Sequence, residues 1–447
     1  MYVSKVELKS IRGVGAKGLA LDLGRPAARE RGTLAGWNVL VSPNGAGKTT
    51  LLQAAAASIV GGGGSAWLLR PEERRDWIHR EGAVAALKDS GTTCVWVEGV
   101  PGDDLPLPEQ AAGPAPLRIR WSRDPSAVQE VTPRGKHHAD VLSQFWDAAA
   151  FGAPAQGWLF AGYGPHRANR QSSPDAASLF RAAPRTAAVV TLFRQDAGLE
   201  AGSQWAVGLE MAARGGAHAA EEVLRDGILR LLGDGLLVEG TSTPIRIEAE
   251  GLEVFWNEGW RPLHLLGDGN YSVVALVLDL LLRVHQFMPH RLLENMSSWS
   301  SEGEASVDVS GTVVIDEPEN HLHPALQQRL GFWLKQHFPA LQFVVATHSP
   351  LICQAADRGG LFCMPTCGKV LPLDMEVWAQ VANGTVDDAI TSRLFGLESP
   401  QSASATIARR RLGELQSRRL RADLGAQEEA ERRALLEQLP QGSFLPA

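Results

Sequence analysis

Trp37–Val60 reads WNVLVSPNGAGKTTLLQAAAASIV, and its three parts decide the fold class. Trp37–Val41 is a short apolar strand, Ser42–Gly47 a glycine-bearing loop, and the Ala- and Leu-rich run from Lys48 a helix. The helix is expected to stop at the four glycines 61–64. A phosphate-binding loop asks for Gly, four residues, then Gly-Lys-Ser/Thr. Gly47, Lys48 and Thr49 meet the second half, while Ser42 stands where the first glycine belongs. Such a loop turns its backbone N–H groups inward onto phosphate oxygens, and the helix N-terminus adds partial positive charge. Asn44, Gly45, Ala46, Gly47, Lys48, Thr49 and Thr50 are therefore the expected contacts to ATP. Lys48 is expected to neutralise the β- and γ-phosphates, and the Thr49 hydroxyl to ligate Mg²⁺. Ser42 keeps its own N–H, so the substitution threatens loop strain more than phosphate contact.

A phosphate loop needs a second strand that ends in an acid. GTVVIDEPENHLHPALQQ, Gly311–Gln328, supplies it: Val313, Val314 and Ile315 carry Asp316 to the carboxyl end of a strand, where parallel sheets bind ligands. Asp316 is expected to hold the metal, and Glu317 to act as general base on the attacking water. The next strand, LQFVVATHSP, ends at His348, which is placed to sense the γ-phosphate. His321 and His323 show no spacing of a metal motif and read as packing or subunit-contact residues.

The chain has 447 residues, 44% apolar and 21% charged, which suits a globular protein of two or three lobes. A net charge of -7 gives no global pull toward nucleic acid or anionic membrane. Four scattered cysteines build no disulfide framework, and Cys363 and Cys367 lack a second pair for zinc. The N-terminus carries no apolar signal region and no window reaches a membrane span, so a cytoplasmic, membrane-free protein is expected.

Along the chain, YVSKVELKSIRGVGAKGLALDL reads as two strands around a turn at Arg12-Gly13. IRIEAEGLEVFWNEGW reads as a hairpin turning at Asn257-Glu258-Gly259, followed by the apolar helix SVVALVLDLLLRVHQF. A second helical stretch falls near 204–232. Strand and helix alternate thereafter, which implies a largely parallel sheet. The expected architecture is α/β: a mixed, largely parallel central sheet, with residues 1–65 and 245–385 forming one head. Residues 66–244 are read as an inserted α+β lobe and 386–447 as a helical tail.

Taken together, the motifs resemble the ABC-type ATPase heads of the SMC/RecF/OLD superfamily. LGDGNYS, Leu266–Ser272, resembles the LSDGYRS signature of OLD-like ATPases, with Gly267 where that form has serine. DEPENHLHP and ATHSP match the same group, and FAGYGPHR, Phe160–Arg167, resembles its segment near the coupling loop. The resemblance implies that Gly269 and Ser272 complete the γ-phosphate site of an opposite subunit, so that ATP joins a head-to-tail homodimer or a larger homo-oligomer. A polar insertion, 289–310, lies between signature and acidic strand, unlike transporter ATPases. No long coiled coil or following nuclease domain is read. Similar ATPases without an effector of their own occur in anti-phage systems of the PARIS and Septu types, which implies a separate nuclease or toxin partner. Two alternatives stay open: a DNA repair or recombination ATPase of RecF/SMC type, and a non-hydrolysing scaffold that assembles on ATP.

Nucleic acid is a further open partner. RPEERRDWIHR (70–80) and RIRWSR (118–123) interleave arginine with tryptophan, as nucleic-acid surfaces do, although Glu72, Glu73 and Asp76 favour plain solvated faces. In the tail, Leu412, Leu415, Leu420 and Leu424 form an amphipathic pattern among charges.

Overall fold

From Lys5 onward strand β1 (Tyr2–Lys9) alternates buried Val6 and Leu8 with half-exposed Lys5 and Glu7, the period of a sheet with one wet face. It pairs antiparallel with β2 (Leu19–Asp22), and the chain reverses near Arg12, whose φ is 44°. The computed structural model describes residues 2–23, 36–43, 45–69, 73, 77, 90–98, 115–122, 129–130, 159–167, 171–180, 184–216, 219–237, 243–299, 305–365, 367–421 and 423–439. Asn44 and most of 70–80 therefore lie outside the described residues.

β3 (Trp37–Val41) leads into α1 (Lys48–Leu68) as expected. The helix breaks at Gly61, where φ is 87° and ψ 171°, but helical turns resume beyond the glycines. The middle region differs from the expected separate lobe. Its strands β4 (Ser90–Glu98), β5 (Ala115–Ser122), β6 (Gln129–Glu130) and β7 (Leu159–Tyr163) all join the main sheet. Two helices follow, α2 (Glu200–Arg214) and α3 (Ala219–Gly233). A small antiparallel sheet comes next: β8 (Ile245–Glu248), β9 (Gly251–Trp256) and β10 (Gly259–Pro262). Asn257 and Glu258 both have positive φ between paired Trp256 and Gly259, the geometry of a two-residue hairpin.

Then come α4 (Asp268–Phe287), α5 (Pro289–Ser298), β11 (Gly311–Asp316), α6 (Pro324–His337), β12 (Leu341–Ala346), β13 (Leu361–Cys363) and β14 (Gly368–Pro372). α4 is apolar on every side because protein surrounds it; Val273 to Leu282 are all buried. Among the described residues no single helix is long and apolar enough to cross a membrane.

The large sheet has the order β6-β5-β4-β1-β2-β14-β13-β3-β12-β11-β7 among the described strands. Its site-bearing half, β13-β3-β12-β11-β7, is parallel throughout. These strands are buried on both faces, so they read as continuous apolar runs. Register aligns Asp316 with Ala346 and Ala346 with Leu40, so β3, β12 and β11 end together. β12 lies between the phosphate-loop strand and the acidic strand. The Gln342 amide ties this half to β1: it accepts from Val3 N–H at 3.0 Å and donates to Val3 C=O at 3.0 Å.

Met1–Asn383 forms one compact unit and Gly384–Ala447 another. In the second unit, α7 (Ala403–Arg419) pairs with α8 (Ala426–Gln438) through Arg411–Glu431 and Arg418–Glu428. The expected leucine stripe is not a buried seam: Leu415 is fully buried, but Leu420 is 90% exposed.

Candidate nucleotide site

The strand ends just described converge on Lys48. Its Nζ donates to Ser42 C=O at 2.9 Å and Ser42 Oγ at 3.2 Å, and lies 2.9 Å from His348 Nε2. Burial pushes the Lys48 pKa down, against the pull of Asp316, Glu317 and Glu319. Ser42, the departure from the motif, thus holds the lysine, and it is absent from the residues with positive φ. The strain expected of the substitution does not arise. Gly45 and Gly47 do have positive φ, at 84° and 92°, and Ala46 and Thr50 are buried beneath the loop. Gly47 caps α1 without a side-chain hydrogen bond, which leaves first-turn N–H groups to an incoming anion.

Thr49 Oγ1 donates to Asp316 Oδ2 at 2.6 Å, joining α1 to β11. Asp316 is 1% exposed, and its other oxygen, Oδ1, is buried without a partner. Burial first, then the Glu317 charge, raise its pKa to about 6 against the lowering bond from Thr49. A buried carboxylate with one orphaned oxygen beside a threonine hydroxyl fits a divalent cation with oxygen ligands. Thr49 and Asp316 are the residues that would hold Mg²⁺.

Glu317 sits at φ 47°, a left-handed conformation uncommon outside glycine. Its Oε2 accepts from Asn320 Nδ2 at 2.9 Å. Three residues that received no role from the sequence complete the arrangement. Glu319 Oε1 accepts from the His348 backbone N–H at 2.7 Å and so fixes the His348 backbone. Asn320 holds the Glu317 carboxylate. Arg167, 3% exposed, donates from Nη1 to Gly164 C=O (2.6 Å) and Asp316 C=O (2.9 Å), and from Nη2 to Glu317 C=O (3.0 Å). Desolvation lowers its pKa to about 10. The available signal was its place at the end of GYGPHR. Thr49 also lines a cavity of about 520 Å³ together with Gln53, His166 and Gln195, which brings two candidates for the coupling position beside it.

At the signature, Gly267 adopts φ 92° and ψ 154° as the cap of α4. That region is essentially closed to side-chain-bearing residues, so in this geometry a serine there is strained. Gly269 is required by close approach: a Cβ on it would lie 2.4 Å from His321 C=O. The signature turn therefore packs against the loop that follows the acidic pair. Ser272 is 3% exposed and faces its own core, so a direct phosphate contact from its hydroxyl does not fit. The exposed groups of this turn are those of Gly267 and Asp268.

Other expectations shift. His321 and His323 are exposed, which sets aside packing within the chain and leaves the subunit-contact reading, and His323 Nδ1 accepts from Ala325 N–H to cap α6. Cys363 and Cys367 are exposed and free, and no group of three metal-ligating side chains forms among the described residues. On β5, Arg118 and Arg120 point outward while Trp121 is buried against Trp77, so neither tryptophan is available to stack on bases.

Fold and site together resemble those of OLD-like/SMC-like P-loop ATPases of the ABC type. A family model described as "AAA domain, putative AbiEii toxin, Type IV TA system" matches residues 212–354, which run from α2 through α4 and β11 past His348. The chain is similar to the Retron Ec83 probable ATPase of Escherichia coli, 30% identical over 99 residues (22% of this chain, 16% of that one). It is 37% identical over 87 residues to the Retron Vc95 probable ATPase of Vibrio cholerae serotype O1 biovar El Tor (20% and 15%). It is 33% identical over 132 residues to Septu protein PtuA of Bacillus mycoides strain KBAB4 (30% and 16%). The matched stretches thus span about a sixth of each relative's length. Among solved structures, an Smc head bound to the C-winged helix domain of ScpA overlaps at TM-score 0.48 and 15% identity, covering 84% of this chain and 99% of that one. The SMC head domain from Thermotoga maritima overlaps at 0.42 and 13%, covering 84% and 100%.

Proposed function

We propose that the chain binds and hydrolyses ATP, dimerises head-to-tail on it, and serves as motor or sensor scaffold of an anti-phage defence complex with a separate effector. One observation carries the catalytic part: Thr49 of the phosphate loop and Asp316 of the acidic strand meet at 2.6 Å with Asp316 Oδ1 left orphaned. The loop N–H groups and Lys48 receive the phosphates, and Lys48 exchanges its contact to His348 for a phosphate oxygen. His348 then meets the γ-phosphate. Glu317, held by Asn320, takes the proton of the attacking water. Thr49 and Asp316 would hold a magnesium ion, which would supply neutralising charge to the phosphates. The defence role and the effector rest on likeness to the Retron Ec83 probable ATPase and Septu protein PtuA.

Dimerisation follows from the exposed signature turn, whose backbone at Gly267–Gly269 would face a second copy's γ-phosphate. The test is light scattering of the full chain with Mg-ATP. The wild type is expected to shift from monomer mass to dimer mass. Lys48→Ala, having lost ATP binding in calorimetry, is expected to stay at monomer mass. An ATP-independent dimer, or full ATP binding by Lys48→Ala, contradicts the proposal.

A further inference from the structure

Arg167 joins the turn that follows β7 to the turn that follows β11, and no step of the proposed hydrolysis uses it directly. A guanidinium is a rigid planar fork of donors. Here that fork meets two successive carbonyls, those of Asp316 and Glu317, as well as that of Gly164. Glu317 lies between these anchors at φ 47°. A non-glycine residue stays in that region only where its surroundings hold it there. Asn320 supplies the second restraint, since its Nδ2 donates both to Glu317 Oε2 and, at 3.4 Å, to Pro165 C=O. Backbone and carboxylate of Glu317 are thus both tethered to the turn from Gly164 to Arg167. That turn is anchored in its own right, because Tyr163 OH donates to Asp279 of the signature helix at 3.1 Å.

We infer that Arg167 is a positioning residue for Glu317: it holds the left-handed turn from which the carboxylate is aimed, and so links the exit of β7 to hydrolysis. This rests on Glu317 being the general base. Among the described residues the Arg167 guanidinium donates to Gly164, Asp316 and Glu317 carbonyls and to no phosphate-loop atom, so its loss is read in the chemical step and not in ATP affinity.

The test uses the full chain with Arg167→Gln and Arg167→Lys; the lysine variant keeps the charge and carries the test if the glutamine variant fails to fold. ATP affinity is expected to stay within about twofold while kcat falls about 100-fold for glutamine and less for lysine. Hydrogen exchange at the Glu317 and Asn320 amides, which are bonded to Ala346 C=O and Glu317 C=O, is expected to quicken. Because Arg167 acts through Glu317, the Glu317→Gln/Arg167→Gln double variant should be no slower than Glu317→Gln alone. Equal losses of affinity and kcat, multiplicative effects in the double variant, or unchanged exchange in both Arg167 variants overturn the positioning role, even where Glu317→Gln is inactive. Wild-type turnover by Glu317→Gln alongside quickened exchange overturns the reading of Glu317 as base and leaves the tether in place.

Discussion

Asp316 illustrates what the site demands of a single side chain. Its pKa of about 6 lies above the ordinary 3.8 because burial disfavours the charge. The folded chain therefore holds this proton more tightly than the unfolded chain does. The sign follows: stability from this group is greatest below about pH 4, falls as pH rises toward 6, and stays reduced by about 3 kcal/mol above it. Asp316→Asn is expected to abolish turnover and yet raise the melting temperature of the nucleotide-free protein at pH 7.5. That gain should shrink by pH 4. Scanning calorimetry at the two pH values checks it, and a lower melting temperature at pH 7.5 would contradict the burial argument. Ser42 shows how a motif departure is absorbed: its carbonyl and hydroxyl bind Lys48, a use that the pattern for glycine does not disclose.

The same logic at the scale of one element is clearest in α4. Its apolar run was legible, but its buried pair was not, because Asp279 and Arg283 look like surface residues four apart on a helix. In the structure both are 1% exposed and bonded at 2.8 Å, with Tyr163 as a third partner whose pKa burial pushes well up. Breaking such a pair strands a buried charge, which costs about 3–5 kcal/mol, whereas apolar replacement of both partners is nearly neutral. Asp279→Ala should therefore lower unfolding free energy by that amount in urea titration, and Asp279→Leu/Arg283→Met by far less. Equal losses would show that the charges are solvated. Strand β5 teaches the converse. Period-two alternation already places Arg118 and Arg120 opposite Trp121, so arginine and tryptophan in RIRW cannot share one face.

Across the whole molecule, the site joins residues far apart in the chain, Lys48 and Thr49 with Asp316, Glu317 and His348, and these were legible because each sits at the end of a recognisable apolar strand. The neighbours that hold them were not. Arg167 works through backbone carbonyls, and Glu319 through a backbone N–H; neither leaves a spacing pattern. That the middle region adds strands to the main sheet was not legible, because those strands are separated by long Pro-rich connections. Ser272 was expected at a partner's phosphate, but helix phase turns it into the core. What unites these points is one claim, that the composite site hydrolyses ATP with Glu317 as base. The most direct measurement is steady-state phosphate release by wild type and Glu317→Gln with Mg-ATP, alongside nucleotide binding. Binding is expected to be retained, turnover to fall by at least about 100-fold, and the variant to accumulate as an ATP-bound dimer. Equal turnover by the two proteins would contradict it.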